Sequence, residues 1–256
     1  MPFVNNRGVR IHYETVGKGR PLVLHHGTSG SGSDWVDLGY VEALENDYQL
    51  ILVDARGHGS SDKPHDPASY DLSLRTSDVV SVLDGLDLPK ADFFGYSLGG
   101  WIGFGLAKHA PARFNSFVIG GAHPFAETMQ PFRDLMATGR EAFAAYIDKA
   151  CGNFLKPAMR ERLLNNDLEA LRVLTQDRSS IAEVLPSMQM PCLLFVGELD
   201  PRLARVRECA SVLPNATLFT LPSCDHIAGW LTQVDAIIPS VKSFLSKVPR
   251  QVEKLP

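Results

Sequence analysis

Ser97 lies in Gly95-Tyr96-Ser97-Leu98-Gly99, a run that fits G-x-S-x-G. A serine hydroxyl is a poor nucleophile at neutral pH. It needs a base to take its proton, and the base needs a third group to orient it. Among eight histidines, His226 stands out: it follows the apolar run "ATLFTLPS", in the loop "CDHIAG", ahead of the last helical pattern. The orienting acid is expected at a different strand end. Asp200 closes "CLLFVGELD", and Glu198 is the second choice. Asp225 adjoins His226 in sequence, but adjacent residues on one loop rarely point at each other. Ser97, Asp200 and His226 are therefore the candidate catalytic residues, in the chain order nucleophile, acid, base.

Acyl transfer also needs donors for the oxyanion of its tetrahedral intermediate. An apolar strand pattern, "ADFFGYS", ends at Ser97, and a helical pattern begins just after it. At such a turn the amide of Leu98 sits at a helix start, where N–H groups lack intrahelical partners and the dipole favours anions. The second donor is expected after the strand "PLVLHHG", at the amide of Thr28, with Ser29 as the weaker rival. Gly27 to Gly32 also fits G-x-x-x-x-G. Ser33 and Asp34 follow, where a phosphate loop requires Lys and then Ser or Thr, so no nucleotide site is expected there.

These side chains are far apart in sequence, so a sheet must gather them. Continuous apolar runs such as "YQLILVDARG", "FNSFVIGG" and "MPCLLFVGELD" alternate with helical patterns such as "SLRTSDVVSVLDGL". That rhythm predicts a mostly parallel, doubly wound α/β sheet, whose strands all end at one edge. "VRIHYETVG" and "RPLVLHHG" are expected to pair antiparallel around Gly17 and Gly19. Between 124 and 186 no strand pattern occurs. The stretch is helical, with Phe125, Met129, Phe132, Phe143, Tyr146 and Phe154 spread among charges. The expected organisation is a core domain formed by 1–123 and 187–256, with 124–186 inserted as a helical cap.

Composition narrows the class. The chain has 256 residues, 45% of them hydrophobic, and a net charge of −4. That is enough for one sizeable core, and no basic stripe points to nucleic acid or an anionic membrane. Four cysteines show no C-x-x-C or zinc spacing, so free thiols, a cytoplasmic location and no metal are expected. The N-terminal "MPFVNNRGVRIHYE" has no charged segment followed by an apolar stretch, and neither a signal peptide nor a membrane span is read there.

Taken together, "HHG" at 25–27, "DARGHGSSD" at 54–62, "GYSLGG" at 95–100, "GELD" at 197–200 and "DH" at 225–226 resemble the α/β-hydrolase superfamily over nearly the whole chain. The resemblance implies the α/β-hydrolase fold and a serine esterase or lactonase with a helical cap. It makes Asp54 to Ser61 mainly architectural, with Arg56, Gly57 and Gly59 shaping a loop and His58 outside the chemistry. With Ser97 at the nucleophile position, the family's aspartate-dependent dehalogenases and epoxide hydrolases are disfavoured. Carbon–carbon hydrolases, lyases, cofactor-free oxygenases and slow-hydrolysing ligand sensors remain as alternatives. The expected partner is a small to medium ester or lactone, with no cofactor, acting on a monomer or homodimer. Trp35, Phe125 and Trp230 are the expected pocket walls, and His123 is placed at the cap entrance.

Overall fold

The computed structural model describes residues 2–153 and 155–249; Phe154 of the cap pattern and 250–256 of the expected core lie outside them. In chain order the elements are β1 (Phe3–Asn6), β2 (Val9–Val16), β3 (Arg20–His25), α1 (Gly32–Asp37), α2 (Tyr40–Leu44), β4 (Tyr48–Val53), α3 (Leu72–Gly85), β5 (Ala91–Tyr96), α4 (Leu98–His109) and β6 (Phe114–Gly120). There follow α5 (Gln130–Ala137), α6 (Arg140–Ala150), α7 (Pro157–Asn165), α8 (Leu168–Leu174), β7 (Cys192–Gly197), α9 (Leu203–Val212), β8 (Ala216–Leu221), α10 (Ala228–Leu231) and α11 (Val234–Lys247).

Among the described residues eight strands form one sheet in the order β1-β2-β4-β3-β5-β6-β7-β8. From β4 to β8 every pairing is parallel, with β2 antiparallel to β4 at one side. This is the α/β-hydrolase fold. The chain passes from β3 to β4 on one side and then to β5 on the other, so the winding reverses between β3 and β5. At such a reversal the loops beyond the strand ends diverge and leave a crevice, where ligands bind in doubly wound sheets. The loop carrying Thr28 and the turn carrying Ser97 leave those two strands.

The strand residues alternate between two buried faces. Val23, Ile51, Phe93, Phe117, Ile119 and Leu194 pack with α3, α4 and α9, whereas Leu22, Leu24, Leu52, Phe94 and Phe195 pack with α1, α2 and α11. All six residues of β5 and of β7 are buried, as expected of parallel strands covered on both sides. A third cluster, around Phe143, Leu163, Leu171 and Leu174, is built mostly from the helices between β6 and β7 and closes on Tyr70, ahead of α3. Much of the apolar sequence of those helices is spent on this cluster.

One pairing differs from the sequence reading. β2 and β3 are not a hairpin, because β4 lies between them. Gly17 and Gly19 both have positive φ, and a Cβ on them would meet the carbonyls of Tyr48 at 2.5 Å and Asp47 at 2.8 Å. The turn therefore ducks beneath the chain entering β4 instead of folding β3 back on β2. The hairpin is one step earlier, between β1 and β2, around Arg7 and Gly8 with φ of 52° and 89°. Two consecutive positive-φ residues are the geometry of a tight hairpin turn.

Candidate active site

β5 delivers Ser97 to the crevice edge, and the turn into α4 is forced. Ser97 has φ 53° and ψ −107°, on the left-handed side that side chains avoid, and its amide donates to the Gly120 carbonyl at 2.8 Å. The two flanking glycines are steric necessities. A Cβ on Gly95 would lie 2.4 Å from the Gly99 carbonyl carbon, and one on Gly99 would lie 2.1 Å from the His25 carbonyl oxygen. Without side chains there, α4 starts directly against the end of β3.

His226 and Asp200 arrive from the loops after β8 and β7. The Ser97 hydroxyl is 2.9 Å from His226 Nε2, and His226 Nδ1 is 2.6 Å from an Asp200 oxygen. A carboxylate can only accept, so Nδ1 carries the proton and Nε2 is left to accept from Ser97. Asp200 is 3% exposed. Burial opposes its charge, but the hydrogen bond from His226, the Arg202 amide at 2.9 Å and the Arg202 guanidinium outweigh it and hold the carboxyl below its ordinary pKa. Glu127 in turn holds Arg202 at 2.6 Å and Arg178 at 3.2 Å. Glu198 points elsewhere and accepts from Thr220, while Asp225 caps the amides of Ile227 and Ala228.

The loop after β3 lies alongside. A Cβ on Gly27 would be 3.5 Å from the Ser97 Cβ. His26 anchors this loop, accepting the Ala55 amide at Nε2 (3.0 Å) and donating from Nδ1 to the Gly27 carbonyl (2.7 Å). Among the described residues neither the Thr28 amide nor the Leu98 amide donates to a protein acceptor. Both are left without a protein acceptor beside the Ser97 turn.

A cavity of about 600 Å³ opens over Ser97 and His226. Phe132, Leu135, Ile147, Leu155, Met159 and Leu163 from α5, α6, α7 and the segment between them give it an apolar wall. His123 and Trp230 line it. His123 is 4% exposed, and burial pushes its pKa below the usual histidine value. Trp35 and Phe125 are corrections. Trp35 is fully buried in the core, edge-on to Tyr40, Phe94 and Trp230, where it backs Trp230 and does not reach the cavity. Phe125 turns out of the crevice and packs beneath Arg205 of α9. His58 is buried against His26 and is not among the residues that line the cavity.

The sequence reading missed the groups that brace the hydrogen-bonded chain of Asp200, His226 and Ser97. Tyr96 stacks on His226 and Trp230, and its hydroxyl donates to the His226 carbonyl at 2.6 Å. Arg162 of α7 reaches Asp34 at 2.7 Å and Asp37 at 2.5 Å, and Asn166 donates to the Ser29 carbonyl, tying the overlying helices to the Thr28 loop. Tyr96 occupies the variable position of G-x-S, and Arg162 lies in an ordinary charged helix, so neither carries a sequence signal. Among the described residues no group of three or more His, Cys, Asp or Glu is arranged to hold a metal ion. No described helix is long and apolar enough to cross a membrane, and all four cysteines are buried and free.

Comparison with known proteins bears on the family and the fold. A non-heme haloperoxidase from Rhodococcus erythropolis is 31% identical, covering 96% of this chain and 99% of its own. A 3-oxoadipate enol-lactonase 2 from Acinetobacter baylyi is 35% identical over 43% of this chain and 41% of its own. The crystal structure of the enol-lactonase from Burkholderia xenovorans LB400 has the same fold, with a TM-score of 0.83, 24% identity, and coverage of 96% of this chain and 100% of that one. The profile of the Alpha/beta hydrolase family matches residues 22–238, and with the elbow, the sheet order and these relatives in hand, the chain belongs to that family.

Proposed function

We propose that this protein is a serine hydrolase of small to medium carboxylic esters or lactones. The observation that carries the reading is the continuous relay from Asp200 through His226 to Ser97, with links of 2.6 and 2.9 Å. His226 takes the Ser97 proton as the oxygen attacks the substrate carbonyl. The amides of Thr28 and Leu98 hold the oxyanion, a role in which one donor is worth about 10²–10³ in kcat. Asp200 keeps the imidazole in the useful tautomer and stabilises its cation. His226 then protonates the leaving alkoxide, and the acyl group stays on Ser97. In the second half the same imidazole removes a proton from water, which attacks the acyl-enzyme and releases the acid.

The residues between 124 and 186 act as the cap and supply the apolar wall that selects the acyl or alcohol portion. His123 and Trp230 contact substrate. A cavity of this size and lining fits a compact, largely apolar ligand with one polar centre. The enol-lactonase relative supports the lactone branch.

The test is active-site labelling with a fluorophosphonate on the wild type and Ser97→Ala, beside a panel of aryl esters and lactones. Labelling that disappears in Ser97→Ala, with turnover of short aryl esters, is the expected result. Equal labelling of both proteins would remove Ser97 as the nucleophile.

A further inference from the structure

A second chamber of about 240 Å³ lies beside the main cavity, and Thr28 and Met129 line both. Leu98 and Trp101 form part of its wall, so it backs onto the loop and helix start that carry the two free amides. Two further lining residues, Arg75 and Arg178, are 5% and 7% exposed. Their guanidinium carbons lie 5.8 and 4.9 Å from the centre of the Trp101 ring.

The charge here is not balanced. Arg75 donates to the carbonyls of Tyr70 at 2.7 Å and Leu174 at 2.6 Å, and among the described residues no carboxylate pairs with it. Nearby Asp78 gives both oxygens to Arg56, at 2.6 Å each. Arg178 has Glu127, which Arg202 shares. Of the two carboxylates that line the chamber, Asp177 commits one oxygen to the Met129 amide, Thr128 and Arg133, and Asp71 is exposed to solvent. Burial, then the nearby Arg178 charge, pushes Arg75 down to about 9; burial pushes Arg178 down to about 10.

Holding two carbonyls does not require a charge. A neutral amide side chain could donate to them, and a guanidinium has five N–H donors, of which Arg75 uses two here. A buried cation without a counterion is costly, and a planar carboxylate fits the guanidinium fork. We propose that the second chamber is a carboxylate subsite of the substrate. Arg75 and Arg178 hold a free carboxylate at one end of an ester or lactone whose scissile carbonyl lies at the Thr28 and Leu98 amides. This rests on the hydrolase reading above and narrows its substrate class to esters or lactones bearing a second, free acid group.

The test compares monoaryl esters of C4 to C7 dicarboxylic acids with aryl esters of the chain-matched monocarboxylic acids. For at least one chain length the wild-type kcat/KM is expected to favour the acidic ester by about tenfold or more. The preference is expected to fall to near unity in Arg75→Gln and in Arg178→Gln, and to return in part in Arg75→Lys. A wild-type ratio at or below one for every chain length, with the neutral esters turned over, overturns the subsite and leaves the hydrolase reading standing. That result needs no variant to fold. Loss of both, with no fluorophosphonate labelling of Ser97, instead overturns the hydrolase reading on which the subsite depends.

Discussion

Tyr96 grips His226 twice. Its ring stacks on the imidazole with centroids 5.2 Å apart, and its hydroxyl donates to the backbone carbonyl of the same residue at 2.6 Å. The residue immediately before the candidate nucleophile thus fixes the candidate base. Tyr96→Phe keeps the stack and removes the hydrogen bond. A buried hydrogen bond is worth about 1 kcal/mol net. The expected result is a drop in kcat of about threefold to tenfold with KM little changed, measured by steady-state kinetics on a short aryl ester. A change in KM alone would mean that the hydroxyl serves substrate binding and not the imidazole.

The pH profile follows from Asp200. Its carboxyl is held below the ordinary carboxylate value, so it stays ionised at mildly acidic pH. Asp200 therefore adds no proton uptake of its own to the acid limb of the profile. In the wild type, log(kcat/KM) is expected to rise with a limiting slope of one as pH increases, and then to level off. A limiting slope of two would require a second proton and would count against an ionised Asp200. Asp200→Asn keeps the shape but removes the charge and sets an amide donor beside His226, which favours the wrong imidazole tautomer, and kcat is expected to fall by about 10⁴.

What the sequence disclosed and what it hid have a common cause. Ser97, Gly95 and Gly99 are legible because the elbow tolerates so few residue types, and each leaves its mark within five positions. Asp200 and His226 are legible because parallel strands must end at the same edge, so a strand pattern followed by a polar residue locates them. Trp35 could not be assigned in this way. An aromatic residue just beyond a candidate oxyanion loop faces either the cavity or the core, and only the packing of Tyr40, Phe94 and Trp230 around it decides for the core. Arg75 was equally hidden: in sequence it is one charge in a helix, and its burial comes from a segment about a hundred residues away, at Leu174. The false hairpin at Gly17 has the same origin, since strand order is a long-range property.

The elbow makes a steric prediction that separates two kinds of glycine. At Gly99 an added methyl would overlap the His25 carbonyl oxygen at 2.1 Å, and neither backbone can retreat without breaking β3 or α4. Gly99→Ala is expected to destabilise by about 3 kcal/mol or more, or to give insoluble protein. Gly8 has φ 89° but nothing within 4 Å of an added Cβ. Gly8→Ala meets only the left-handed backbone penalty, about 1–2 kcal/mol. Urea unfolding of both variants checks the order, and equal losses would contradict the overlap.

Acid stability follows from two histidines that take no part in the relay. His25 and His58 are buried to within 2% of full burial, beneath the loops that carry Thr28 and Arg56. Burial, then the neighbouring His26, pushes His25 down to about 3 and holds His58 well below the ordinary value. The unfolded chain takes up these protons near the ordinary histidine value of about 6.5. Between the folded and unfolded values the unfolded state binds more protons, so stability is complete above about pH 6.5 and declines as pH falls. For His25 the decline continues to about pH 3. Within the window each such imidazole adds a slope approaching 1.4 kcal/mol per pH unit. His58→Gln removes one titrating group, so its unfolding free energy, followed in urea from pH 7.5 to 4.5, is expected to depend on pH less steeply than the wild type by about that amount. The variant's overall stability can shift either way, because the glutamine repacks the site; the slope is the diagnostic quantity. An unchanged slope would show that His58 is protonated in the folded chain, and the tight packing of its ring against His26 would then need another explanation.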